Sequence, residues 1–215
     1  MRTELLVAAL GLAMEPAASA QHGNPTAVIT TSAGDMRCEL FQDKTPRAVA
    51  NFIGLAEGTK DWADPKTKAV RHGVPLYDGT VFHRVIPGFM IQGGDPAGTG
   101  AGEIGFTIPD EFVASLKFDR PGRLAYANSG PNSSAAQFFI TETPQPDLDP
   151  CLSAGGCRRG DRKVPQGTGY TIFGECDTAT VGLVQWIAKM GRDMETNRPI
   201  RPVVIKHVRI ERPGP

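Results

Sequence analysis

The 215-residue sequence predicts a mainly-β fold, a barrel or sandwich with helical caps. Three observations carry that reading. The apolar runs are short, they lie between clusters of Gly, Pro, Asn and Asp, and two stretches alone hold a helical period. Ala27–Thr31 and Met36–Phe41 form the first two strands, a hairpin around the turn-forming Ser32-Ala33-Gly34-Asp35. Thr45 and Pro46 are the cap and first residue of a helix that runs through Phe52 and Leu55 and stops near Gly58. Val81–Val85 and Phe89–Gln92 are short strands separated by the turn pair Pro87-Gly88. Gly122–Asn128, Gln137–Thr141 and Tyr170–Cys176 follow as strands. Val181, Val184 and Ile187 place a second helix over 178–190, ended by Gly191. Val203–Ile210 is the last strand, with Val204, His207 and their alternating neighbours half buried.

Two polar stretches, 58–77 and 149–169, have no period and read as surface insertions within a single domain spanning 21–215. No internal repeat or long linker divides it. The second insertion carries Cys151, Cys157 and the basic run Arg158, Arg159, Arg162 and Lys163, which reads as a solvated loop.

Composition excludes several function classes. The 23 basic residues balance 23 acidic ones, so net charge offers no argument for a nucleic-acid partner. The longest apolar run, Leu5–Met14, is about half the length of a membrane span. Arg2 precedes it, with an unusual charge at Glu4, and Ala18-Ser19-Ala20 follows as a small-residue cleavage pattern. Residues 1–20 therefore read as an export signal, leaving a periplasmic or secreted chain from near Gln21. An even set of cysteines behind such a signal favours disulfides. Cys151 and Cys157 enclose a Gly-rich loop suited to local pairing, while Cys38 and Cys176 lie in separate strands. Sequence leaves all pairings of the four open. No Cys-x-x-Cys pair supports zinc, and no metal is expected. Gly100–Gly105 matches a dinucleotide-binding pattern, but strand-like residues and Pro109 follow where a helix is required. It reads as a flexible loop, and no cofactor is expected. Asn132-Ser133-Ser134 matches a glycosylation acceptor, a pattern short enough to arise by chance.

The chemically suggestive segment is Phe82–Asp95. It sets Arg84 among apolar residues, with Gln92 as partner and Phe89 and Met90 between them. Desolvating an unpaired guanidinium is costly, so an arginine kept here points to a site for a carbonyl or amide. His83, adjacent in a strand, is expected on the opposite face and in a structural role.

Together with Leu124–Asn132 and Gln137-Phe138-Phe139-Ile140, this segment resembles the cyclophilin family of peptidyl-prolyl isomerases, over roughly residues 26–211. The resemblance implies a closed eight-stranded antiparallel barrel capped by two α-helices, and catalysis of X-Pro bond rotation without a cofactor. It makes Arg84 the catalytic arginine, held by Gln92. Phe89, Met90, Phe139 and Leu148 would receive the proline ring. Ala127, Asn128 and Gln137 would line the groove, with Asn128 binding peptide through its backbone. Tyr170 stands where eukaryotic members often carry histidine, and a tryptophan common in the family falls here on Asp147. Both departures imply weak cyclosporin binding and an altered preference beside proline. The implied partners are proline-containing segments of client proteins, bound by a monomer. A proline-peptide-binding or chaperone module with incidental isomerase activity is the other reading.

Overall fold

At Gly34 the backbone takes φ 135°, and the turn it makes is held by the Thr31 hydroxyl, which donates to the Gly34 carbonyl. This turn joins β1 (Thr26–Thr31) to β2 (Asp35–Leu40), as the turn residues predict. The structure, a computed structural model, describes residues 23–214. The expected export signal lies outside the described residues.

The helix α1 (Pro46–Glu57) begins with proline and ends at Gly58 with φ 72°. Thr45 occupies the cap position without capping, because its hydroxyl turns back to the Phe41 carbonyl at 3.2 Å. Glu111 caps instead, from far along the chain: its carboxylate accepts from Ala48 N at 2.9 Å and from Arg47 N at 3.4 Å. The second helix, α2 (Thr178–Ala188), starts where the period places it and ends two residues early, capped at Lys189 rather than at Gly191. Asp177 is its cap and accepts from Thr180 N at 2.8 Å.

The remaining elements of the main sheet are β5 (Arg84–Ile86), β6 (Met90–Gly93), β7 (Arg123–Tyr126), β8 (Phe138–Thr141), β11 (Ile172–Cys176) and β12 (Ile205–Glu211). Eight antiparallel strands are ordered β12-β1-β2-β11-β7-β8-β6-β5. The expected closed barrel is corrected to an open sheet, because no ladder joins the edge strands β5 and β12. Residues just before each edge span the gap irregularly, through the bridge Val81–Val204 and the bond from Phe82 N to Val203 O at 3.0 Å.

The last strand also differs from its expected pattern. Thr30 pairs with His207 and Thr31 with Ile205, so Lys206 falls in a bulge and the alternation changes phase. Val203, Ile205 and Val208 are buried, whereas His207 is exposed and bonds Asp78.

Inside the sheet lies an aromatic core. Phe52 of α1 packs on Tyr77 and Phe173 with ring centroids 5.0 and 5.2 Å away, and Tyr126 stacks on Phe173 at 4.5 Å. Asn51 satisfies the polar groups at the helix contact: its amide donates to Tyr126 Oη and to Ala135 O, both at 2.8 Å.

Both insertions hold a hairpin that periodicity did not reveal. In the first, β3 (Trp62–Ala63) pairs with β4 (Val70–Arg71), and Trp62 is buried with its indole N–H on Val74 O at 2.9 Å. In the second, β9 (Cys157–Arg159) pairs with β10 (Arg162–Val164). Such two- and three-residue strands are too short to show alternation. Sulfur atoms lie at bonding distance in two pairs, Cys38–Cys176 across β2 and β11, and Cys151–Cys157 at the base of the second hairpin.

Candidate active site

Outside the main core, a second apolar cluster forms on the other face of β6, β7, β8 and β11. Its buried members are Phe41, Met90, Leu116, Phe118, Ala125, Phe139 and Ile172. The period of two in each strand places the strand residues there: Met90 and Gln92 face one way, Ile91 the other. Phe139 stacks on Phe118 at 5.8 Å and meets the edge of Tyr170 at 5.5 Å.

This cluster floors a cleft of about 500 Å³. Arg84, Gln92, Phe89 and Met90 form one side of it, and Ala127, Asn128, Phe139, Leu148 and Tyr170 the other. Gln137 lines an adjoining cleft that shares Gln92, Ala127 and Asn128. All the residues singled out from sequence for this site therefore come together. Asp147 does not join them, since the short 3-10 turn Pro146–Leu148 points Leu148 at the cleft and leaves Asp147 exposed.

Arg84 and Gln92 are register partners on β5 and β6. The guanidinium donates from Nη1 to Gln92 Oε1 at 3.2 Å. Gln92 Nε2 donates to Gln137 Oε1 at 3.0 Å, and Gln137 Nε2 to Gly100 O at 3.0 Å. Each amide is thereby fixed in orientation, with its oxygen toward Arg84. The other flank of the guanidinium lies 5.9 Å from the Phe89 ring centroid.

The far end of this chain is Asp95, and here the flexible-loop expectation for Gly100–Gly105 is corrected. The buried Asp95 carboxylate accepts from the backbone N–H groups of Ala97, Thr99, Gly100 and Gly102 at 2.8, 2.9, 2.6 and 3.3 Å. Burial pushes its pKa up, but the four N–H groups outweigh that and hold it below the ordinary value. A Cβ at Gly102 would lie 1.9 Å from Asp95 Oδ1, so this glycine is required for the approach. The glycines that match a dinucleotide pattern thus serve a carboxylate cradle, and no helix follows Gly105.

Sequence reasoning missed six contributors to the cleft, among them Thr99, Gly100 and Ala101 of the Asp95 loop. Thr196 and Arg198 reach it from the segment between α2 and β12, with no motif to announce them. His83 also lines it and is buried. The opposite-face expectation fails because regular β5 begins only at Arg84. Burial lowers the His83 pKa against an opposing pull from Asp95.

On the opposite wall, Asn128 commits its side chain to Gly169 O at 2.8 Å. Its main chain is free of backbone hydrogen bonds among the described residues. Ala127 N donates to Gln137 O at 2.9 Å, which ties this wall to the amide chain. The cleft thus pairs an apolar floor with a few oriented polar groups at its rim, the composition of a ligand-binding site.

A family model described as cyclophilin type peptidyl-prolyl cis-trans isomerase matches residues 26–210. The chain belongs to this family, and it is an enzyme of the peptidyl-prolyl isomerase class. It is 45% identical over 186 residues to peptidyl-prolyl cis-trans isomerase A of Mycobacterium tuberculosis, covering 86% of this chain and 91% of that protein. It is 41% identical over 187 residues to peptidyl-prolyl cis-trans isomerase B of Streptomyces anulatus, covering 86% and 95%. A crystal structure of a cyclophilin type peptidyl-prolyl cis-trans isomerase from Cryptosporidium parvum is similar with TM-score 0.66 at 31% identity, covering 89% of this chain and 99% of that one. The same protein in the presence of the dipeptide Ala-Pro matches with TM-score 0.65 at 32% identity, over 86% and 98%.

Proposed function

We propose that this chain accelerates rotation about X-Pro bonds in folding or unfolded client proteins, with Arg84 as its catalytic residue and no cofactor. The observation that carries the proposal is the oriented chain Arg84–Gln92–Gln137 beside an apolar cleft. Rotation about a peptide bond faces about 18–20 kcal/mol because conjugation must be broken. As the bond twists, the proline nitrogen regains a lone pair. A guanidinium N–H aimed at that nitrogen finds no acceptor in the planar state and gains one in the twisted state. Such a contact lowers the barrier rather than merely tightening binding. Arginine suits the task because it stays protonated and presents its donors in a fixed fork.

One charge-assisted hydrogen bond supplies about 1.5–3 kcal/mol, or roughly one to two powers of ten in rate. The remainder comes from positioning. Phe89, Met90, Phe139 and Leu148 grip the proline ring, Tyr170 closes the pocket edge, and Ala127, Asn128 and Gln137 hold one flank while the other turns. Asn128 does so through its main chain, its side chain being bound to Gly169. Clients are proline-containing segments, and the enzyme acts as a monomer.

The working location is the periplasm or outside the cell, and the functional unit is the domain from residue 21 onward. Two bonded cysteine pairs and the leader-like residues 1–20 support this. Among the described residues, no helix is long and apolar enough to cross a membrane.

Arg84→Ala tests the assignment on a short proline-containing peptide. Turnover is expected to fall by roughly 10- to 100-fold with peptide binding retained. Unchanged turnover would remove Arg84 from the mechanism. Absence of turnover in the wild type would leave the peptide-binding reading.

A further inference from the structure

The second insertion leaves and rejoins the body at the cleft itself. Leu148 and Tyr170, the residues on either side of 149–169, both line it, and Gly169 O holds the Asn128 side chain. Its neck is tightly built. Cys151 N donates to Thr168 O at 2.8 Å, Gly167 N to Cys151 O at 2.9 Å, and Arg159 Nη2 to Asp149 O and Thr168 O. A Cβ at Gly169 would lie 2.5 Å from Pro150 Cα, so the two ends of the insertion touch.

The hairpin above this neck has an unfavourable charge arrangement. Its register sets Arg158 against Lys163 and Arg159 against Arg162. Like charges directly opposite on paired strands repel and destabilise a hairpin. Arg159 is committed to the neck carbonyls, while Arg158, Arg162 and Lys163 are exposed. These three form no ion pair among the described residues, and Asp161 at the tip is the hairpin's sole acidic residue. The Cys151–Cys157 bond closes the base and offsets the repulsion. A hairpin that served stability alone would place opposite charges across its strands.

We propose that this disulfide-closed hairpin is a second contact for the client chain, selecting acidic sequence near the bound proline. The inference rests on the peptide-binding cleft of the proposed function. Reach sets the spacing. Cys157 Cα lies 5.6 Å from Cys151 Cα, and Cys151 is three residues past Leu148, so Arg158 falls within roughly 20 Å of the pocket wall, the span of about six extended residues. The occupant is an Asp- or Glu-bearing stretch of the same polypeptide whose proline sits in the cleft. Charge complementarity to the exposed Arg158, Arg162 and Lys163 argues for it, since a chain of zero net charge offers an acidic segment no general attraction.

The test compares proline peptides carrying Glu at three to six residues from proline, on one side or the other, with Gln-substituted versions of the same peptides. Affinities are measured by fluorescence anisotropy for the wild type and for the triple variant Arg158→Ser, Arg162→Ser, Lys163→Ser. One of the acidic peptides is expected to bind the wild type about tenfold more tightly than its Gln counterpart, the size expected for a few exposed pairs. That preference should vanish in the triple variant and shrink with added salt. Equal affinity for acidic and Gln peptides on both sides overturns the inference, as does a preference that survives in the variant. Displacement of the acidic peptide by an equal concentration of single-stranded RNA also overturns it, in favour of a nucleic-acid contact. Turnover of a short neutral proline peptide should be equal in the two proteins. Its absence from both would refute the isomerase reading while the affinities still decide the role of the hairpin.

Discussion

Gln92→Leu removes the link between Arg84 and the rest of the amide chain while keeping the side chain's size. The Arg84–Gln92 bond is 3.2 Å, at the long end of the N–H···O range, so the lower end of the charge-assisted scale applies, about 1.5 kcal/mol. That amount, spent as lost orientation of the guanidinium, corresponds to a roughly tenfold fall in kcat. The proline pocket is untouched, since Met90, Phe139 and Leu148 belong to a separately packed cluster, and KM should stay within about twofold on that ground. Gln92 is partly exposed, so water replaces the bonds it made to Gln137 and Arg84. Stability should then fall by no more than about 1 kcal/mol. Steady-state kinetics on a proline peptide over a range of concentrations separates the two parameters, with a thermal melt as control. A variant with kcat within twofold of wild type would refute the idea that Gln92 positions Arg84. So would a KM rise at constant kcat, which would make Gln92 a binding residue only.

Other expectations test the fold. The Cys38–Cys176 bond closes a separation of 138 residues, for which chain entropy gives about 5 kcal/mol, against about 2 kcal/mol for the separation of 6 between Cys151 and Cys157. Replacing the first pair with alanine should therefore lower the thermal midpoint by roughly 10 °C, and the second by roughly 4 °C, in melts without reductant. Asn51→Leu should cost about 2–3 kcal/mol in denaturant unfolding, because Lys60 Nζ at 2.6 Å and Ala135 O at 2.8 Å lose their partner while Tyr126 keeps Ala48 O. Asp95 has its folded pKa depressed, so its stabilisation of the 95–102 loop is complete above the unfolded value of about 4 and disappears as pH falls through the folded one. Hydrogen-exchange protection of Thr99 and Gly100 should follow that course in the wild type. In Asp95→Asn it should be low and independent of pH.

Much of this was legible along the chain because the deciding interactions are local. The hairpin of β1 and β2 follows from Ser32–Asp35, and α1 is bounded by Pro46 and Gly58 because φ preferences act within single residues. Periodicity failed where strands of two or three residues are too short to show alternation, as in β3, β4, β9 and β10, and where the Lys206 bulge shifted the phase of β12. Capping of α1 failed differently. Thr45 is the right residue type in the right place, yet Glu111 does the work from 63 residues away. No local rule reports such a contact.

The site divides along the same line. The sequence by itself determined the cyclophilin family resemblance and pointed to Arg84, Gln92, Phe89, Met90 and Phe139 as cleft residues, since these lie in contiguous motifs. Tertiary structure alone decided what surrounds them. It brought Thr196 and Arg198 to the cleft, turned the glycines of 98–102 into a cradle for Asp95, and left the sheet open between β5 and β12. It also set a basic hairpin on the cleft rim by joining both of its ends to pocket residues. The physical reason is range. Backbone preferences and alternation are written residue by residue, whereas a carboxylate's donors, a barrel's closure and a loop's neighbours depend on which distant segments share space.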